Sequence, residues 1–235
     1  MDLQNELTLV KNFIIDEFGD SAEFVIYGSF MEAKNGFLVD PKDIDVALVN
    51  YYGLSETIRV KIPNFDIPLE ITPMYTADFI KELEELEPKY FNFHASSIGL
   101  HSMIYDELDK KRGWEVRSQI SSITSKAYNK GKKKLIVEND YDEYLGLKNL
   151  YHAFKFPVNA IWYYFNLDNG DIDTLTTIKH NHVWYLKDIH DIIFDTYNNS
   201  TGTLEERWKT LDAVIKPRYN KLMTDFRIRF PKKVD

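Results

Sequence analysis

The stretch from Phe24 to Val49 constrains this chain more than any other. It begins with a short apolar run, Phe24-Val25-Ile26-Tyr27, that stops at Gly28-Ser29. After residues 30–42 it ends in Asp43-Ile44-Asp45-Val46-Ala47-Leu48-Val49. A strand that stops at Gly-Ser can turn backbone N–H groups and a hydroxyl towards an anion. The second run alternates apolar and non-apolar residues, which predicts another strand. Acids two positions apart on a strand share a face, so Asp43 and Asp45 point one way and Ile44 and Val46 the other. Two aligned carboxylates beside an anion-holding turn suit Mg²⁺ and a polyphosphate. The plain alternative is a strand whose outward face carries two solvated acids.

Composition narrows the rest. The 235 residues allow one large domain or two small ones, and 44% hydrophobic residues suffice for a core. There is no cysteine, which excludes disulfides, thiol catalysis and thiolate metal sites. The N-terminal residues are acidic and polar rather than leader-like, and no apolar run has membrane-spanning length; the expectation is a soluble, cytoplasmic protein with no membrane partner. A net charge of −8 argues against a broad nucleic-acid coat but leaves room for a local basic groove.

The periodicity predicts a helix over 3–18, ended by Gly19-Asp20-Ser21, before the strand to Tyr27. A short helix begins near Phe30, and turns fall at Lys34-Asn35-Gly36 and Asp40-Pro41-Lys42. Beyond the acidic strand, 50–55 is a loop, 58–62 a strand broken by Pro63-Asn64, and 77–86 an amphipathic helix. Glu82, Glu84, Glu85 and Glu87 on that helix read as a solvated face. Residues 98–105, with His101, read as the last strand of this part, and Lys110-Lys111-Arg112-Gly113 as a boundary. From Trp114 the pattern is helical: 114–130, interrupted at Gly131; 141–164, kinked at Pro157; 182–197; and 204–226, with a tail from Arg227. A turn is expected at Asp168-Asn169-Gly170-Asp171. The fold class is therefore α+β: a small mixed β-sheet with helices over 1–112, then an α-helical bundle over 113–235.

The apolar-Gly-Ser and Asp-apolar-Asp elements, in order and on strands, resemble the nucleotidyltransferase superfamily typified by DNA polymerase β. The matching positions are Tyr27, Gly28, Ser29, Asp43, Ile44, Asp45 and Val46. The resemblance covers about the first half of the chain and, more faintly, the helical half, which is similar to that of terminal nucleotidyltransferases. It implies transfer of a nucleoside monophosphate from a nucleoside triphosphate such as ATP to an acceptor hydroxyl, on a nucleic-acid 3′ end, a small molecule such as an antibiotic or a protein, with pyrophosphate leaving. It implies two Mg²⁺ ions, or Mn²⁺ in their place, held by Asp43, Asp45 and a third carboxylate. Glu70, between Leu69 and Ile71, is preferred for the third; Asp66, between Phe65 and Ile67, also fits locally, although Pro68 sits awkwardly beside it. Gly28 and Ser29 would hold the β- and γ-phosphates.

In the same family a lysine of the helical domain, which closes the cleft, touches the triphosphate. Lys148 is the first choice here and Lys126 the second; the alternative for Lys148 is a solvated surface lysine. Lys148, His152 and Lys155 share a helical face. His152 reads more simply as a satisfied, partly buried histidine. Lys126, Lys130, Lys132, Lys133 and Lys134, with Tyr128 to stack on a base, either hold a short RNA such as a tRNA or form a solvated helix end. His180, His182 and His190 near Trp184 hint only faintly at a metal. Against the enzyme stands a catalytically silent fold of the same family serving binding or regulation, as in a toxin–antitoxin pair; loss of acids would favour it, and the acids are present.

Overall fold

The structure is a computed structural model that describes residues 3–34, 41–63, 65–85, 110–111, 113–166 and 172–233. The strand expected over 98–105 with His101, the helix end at Leu86, Glu87, Asn35, Gly36, Asp40, Arg112 and the turn at 168–171 lie outside these residues. The chain divides into two compact units, Met1–Lys111 and Arg112–Asp235.

In the first unit, helix α1 (Leu3–Phe18) leads into strand β1 (Glu23–Tyr27), short helix α2 (Ser29–Lys34) and strand β2 (Ile44–Val49). Strands β3 (Ile58–Val60) and β4 (Leu69–Met74) follow, then helix α3 (Thr76–Glu84). The four strands form one mixed sheet in the order β1-β2-β4-β3. β1 and β2 are antiparallel, β2 and β4 parallel, and β3 and β4 antiparallel.

Period-two alternation splits the sheet into faces. Phe24 and Ile26, Ile44, Val46 and Leu48, and Leu69 and Ile71 turn inward onto Leu7, Val10 and Ile14 of α1 and Phe30 and Met31 of α2. All of these side chains are essentially buried, so a one-residue slip of any strand would exchange apolar for polar residues in the core. Asn50, just past β2, has φ of 56°, a left-handed conformation that asparagine tolerates. There it accepts from the Thr76 backbone N–H through Oδ1 (3.0 Å) and donates through Nδ2 to Thr76 Oγ1. These bonds tie the first turn of α3 to the end of β2.

The second unit consists of helices α4 (Gly113–Ile136), α5 (Glu143–Asn166), α6 (Ile172–Asn198) and α7 (Leu204–Arg229), with a 3₁₀ turn over Glu138–Asp140. α7 starts with a capping box in which Thr203 and Glu206 satisfy each other's backbone N–H groups. Gly131 does not interrupt α4, contrary to the sequence expectation. The helix runs through it because Gly131 sits where α4 meets α5. A Cβ at Gly131 would lie 2.8 Å from the Gly146 carbonyl oxygen and 2.8 Å from Leu150 Cγ, and one at Gly146 would lie 2.7 Å from Leu135 Cγ.

Gly131→Ala therefore has a predictable sign. Alanine gains about 1 kcal/mol of helix propensity, but its methyl meets a carbonyl that cannot rotate away, and overpacking of that kind costs about 1–3 kcal/mol. The expected result is a lower urea midpoint for the helical unit. An unchanged or raised midpoint would mean that α4 and α5 can part at no cost. Among the described residues no helix is long and apolar enough to cross a membrane.

Candidate active site

The sheet face opposite the α1–α2 core carries one continuous cross-strand row. Tyr27 of β1 stands opposite Asp45 of β2, Asp45 opposite Glu70 of β4, and Glu70 opposite Arg59 of β3. Neighbouring strands lie about 4.8 Å apart, so the members of the row stand side by side. Asp45 and Glu70 are half-buried, and Arg59 is exposed. Asp43 is also half-buried and sits one residue ahead of β2, where the Ile44 N–H donates to the Pro68 carbonyl at 2.9 Å. Asp66 lies in the bend before β4 and is exposed, whereas Glu70 lies within the strand. Among the described residues no three His, Asp or Glu side chains form a group arranged to hold a metal ion.

Gly28 ends β1 with φ of +80°, a region that side-chain-bearing residues avoid. A Cβ built there would overlap Asp45 Oδ2 and lie 3.1 Å from its Cγ. The missing side chain at Gly28 is thus the space that the Asp45 carboxylate occupies. Ser29 follows as the first residue of α2 and is half-buried.

Tyr27 reports the charge of this face. Its phenol is pushed up to about 12, first by burial and then by the negative charges of Asp45, Glu82 and Glu70; a hydrogen bond with Thr72 works in the opposite direction. Thr72 Oγ1 lies 3.1 Å from Thr57 Oγ1, which extends this polar chain to the segment before β3. Glu82, read from sequence as part of a solvated face, is half-buried, and its charge acts on Tyr27. Arg59 was not singled out from sequence at all. The cross-strand register is the signal that finds it, and a three-residue strand is too short to display that register as periodicity.

The helical unit arranges the remaining candidates differently from one another. Lys148 is exposed, with its ammonium 5.9 Å from the centre of the Tyr144 ring. Lys126 is exposed too. His152 is half-buried and packs beside Phe156, with ring centres 5.3 Å apart. Burial lowers its pKa to about 4, helped by the charges of Lys148 and Lys130, so it is neutral near pH 7. Burial also lowers Lys155 to about 8.

Tyr128 corrects the expectation of a stacking platform. It is buried, its hydroxyl donates to Asp212 Oδ1 at 2.5 Å, and its ring packs on Tyr219 and Trp208. No base can reach that ring. Lys133 and Lys134 both pair with Asp140, at 3.0 and 2.7 Å, so part of the lysine run serves the turn after α4. His190 stacks on Phe194 with ring centres 4.3 Å apart and meets Asp191 at 3.2 Å. The side chains of His180, His182 and Trp184 lie outside those described.

No protein-family model matches the chain, and no curated protein matches it. Among solved structures it is similar to a nucleotidyltransferase-like protein from Exiguobacterium sibiricum 255-15 at 10% identity. That likeness covers 94% of this chain and 75% of the other, with a TM-score of 0.32.

Proposed function

We propose that the protein is a nucleotidyltransferase that moves a nucleoside monophosphate from a nucleoside triphosphate to an acceptor hydroxyl on the sheet face bearing Tyr27, Asp45, Glu70 and Arg59. The observation that carries this reading is the parallel register of Asp45 with Glu70 beside Gly28, whose missing side chain admits the Asp45 carboxylate. Mg²⁺ usually keeps several waters and takes one or two protein carboxylates plus substrate phosphates. An adjacent carboxylate pair fits that requirement for one ion; with two ions, Asp43 and Asp45 would hold both and Glu70 would complete the site of the ion nearest the acceptor. Bound there, Mg²⁺ supplies positive charge to the phosphoryl oxygens.

The chain's own residues have distinct tasks in this reading. Asp43, Asp45 and Glu70 would hold the cations, and the carboxylate nearest the acceptor would take its proton. Gly28 and Ser29 receive the β- and γ-phosphates. Lys148, and after it Lys126, are the lysines assigned to the triphosphate. Arg59, opposite Glu70, orients that carboxylate or meets a phosphate. The acceptor proposed is a hydroxyl of a short RNA such as a tRNA, of a small molecule or of a protein.

A second reading, a catalytically silent nucleotide-binding module, is favoured by the lack of a three-member ligand group among the described residues. One experiment separates the two. The protein is incubated with each α-labelled nucleoside triphosphate, Mg²⁺ and total RNA or lysate, and nucleotide binding is followed by thermal shift. Label entering an acceptor supports the transferase. Binding without any label transfer would leave the silent module.

A further inference from the structure

The helical unit holds a group of charges that the transfer reading leaves unused. Arg117, Arg227, Lys232 and Lys233 line one cleft of about 470 Å³ together with Trp114 and Ser121, and no acid is among its lining residues. Elsewhere in this unit some cations meet acids, Lys133 and Lys134 at Asp140, Lys187 at Asp191, Lys209 at Glu205 and Arg207 at Glu143, while Lys132, Lys148 and Lys216 lie over aromatic rings. None of the four cleft cations pairs with an acid among the described residues. In a chain of net charge −8, this cleft gathers four positive charges and no acid around one space.

The cleft is held in shape. Arg117 Nη1 donates to the Arg227 carbonyl at 3.0 Å and the Phe230 carbonyl at 3.2 Å, satisfying the open end of α7. Phe230 is buried against Phe226 and Tyr164, with ring centres 4.8 and 5.7 Å apart. The chain after α7 is thereby turned back along the first turn of α4, where Pro231 packs over Gly113. That course brings Lys232 and Lys233 to the cleft. Trp114 remains 40% exposed with the Lys233 ammonium 5.4 Å from its ring centre. Ser121 Oγ is buried with no hydrogen-bond partner.

We propose that this cleft binds single-stranded nucleic acid, with phosphates on the four cations and one base on Trp114. Cations that track a backbone beside an exposed aromatic ring are the ingredients of sequence-tolerant strand binding. An acidic peptide would satisfy the cations but leave the indole without a stacking partner, so the tryptophan decides between them. The proposal does not depend on transfer at the sheet.

The test uses the full chain and short fluorescent single-stranded RNA and DNA in anisotropy titrations, with a free nucleoside monophosphate and an oligoglutamate as competitors. The labelled strands should bind, and affinity should fall with salt. Arg227→Glu with Lys233→Glu should weaken binding at least tenfold. That change leaves intact the Arg227 carbonyl that Arg117 uses. Lys232→Gln with Lys233→Gln, a milder pair, should lower the salt slope by about 1.4. Trp114→Ala should cost roughly 5- to 150-fold and Trp114→Phe far less. Asp45→Asn should bind as the parent does, whatever becomes of transfer. Unchanged binding in the charge variants overturns the proposal. So does oligoglutamate competing as well as the strands, or a monophosphate binding as tightly as the strand.

Discussion

Asp45→Asn is expected to abolish nucleotidyl transfer while the protein folds as well as before or better. The two side chains are nearly isosteric, so the sheet should barely notice the change. Asparagine lacks the charge that makes a carboxylate a strong ligand for a hard cation. Several kcal/mol of transition-state stabilisation depend on such an ion, and each 1.36 kcal/mol is tenfold in rate, so a loss of about 10³-fold or more should follow. Stability should hold or rise because Asp45 stands in register with another carboxylate, Glu70, and substitution relieves their repulsion. A second readout needs no activity. Asp45 is the largest charge acting on Tyr27, so the Tyr27 phenol should titrate below its present value of about 12. The difference between spectra with and without Tyr27→Phe isolates it. Full transfer by Asp45→Asn would remove the metal-carboxylate mechanism. An unmoved Tyr27 would mean that the row is not assembled as described.

Gly28→Ala should lose transfer as well, but together with a damaged fold. Alanine must adopt φ near +80°, and its methyl would overlap Asp45 Oδ2. Backbone strain of about 1–3 kcal/mol and overpacking of similar size together predict a loss of about 2–6 kcal/mol in chemical denaturation. The cause can be isolated with a double-mutant cycle. Asp45→Ala removes the carboxylate that the new methyl would meet, so the Gly28→Ala/Asp45→Ala protein should be more stable than the sum of its single changes. Strict additivity would show that the methyl does not contend with Asp45.

The two strands on either side of residues 30–42 were legible because each carries its pattern within five or six residues, the first as an apolar run stopped at Gly28-Ser29 and the second as an alternation begun at Asp43. Phe24 and Ile26 face the core with Ile44, Val46 and Leu48, and Tyr27 and Asp45 are left on the other side. The order α1-β1-α2-β2 was legible for the same reason, with Gly19 and Gly28 as punctuation. Relations between distant segments were not. Whether Glu70 or Asp66 stands beside Asp45 is a matter of parallel register between β2 and β4, which no local pattern encodes. Arg59 lies on a strand of three residues, too few for a period to show. Glu82 is one of several acids on its helix, and only the docking of α3 through Asn50 and Thr76 turns that one towards Tyr27. Tyr128 could have been placed better: Ile120, Thr124, Ala127, Gly131 and Leu135 are also buried on α4, and their spacing puts Tyr128 on the same face. Gly131 misled because glycine is rare inside helices for reasons of propensity, and close backbone packing outweighed propensity here.

That packing has a dynamic consequence. The place that a methyl would fill at Gly131 points at the Gly146 carbonyl oxygen. A Cα–H therefore faces that oxygen, in the weak C–H···O geometry seen where helices meet most closely. The main-chain part of this joint has no rotamers, so it does not loosen by the picosecond-to-nanosecond side-chain hops open to Leu135 and Leu150 beside it. Parting the two backbones requires α4 and α5 to move as helices. The pair should act as a single stiff spar, with its give displaced to the 3₁₀ turn at Glu138–Asp140 that joins the two.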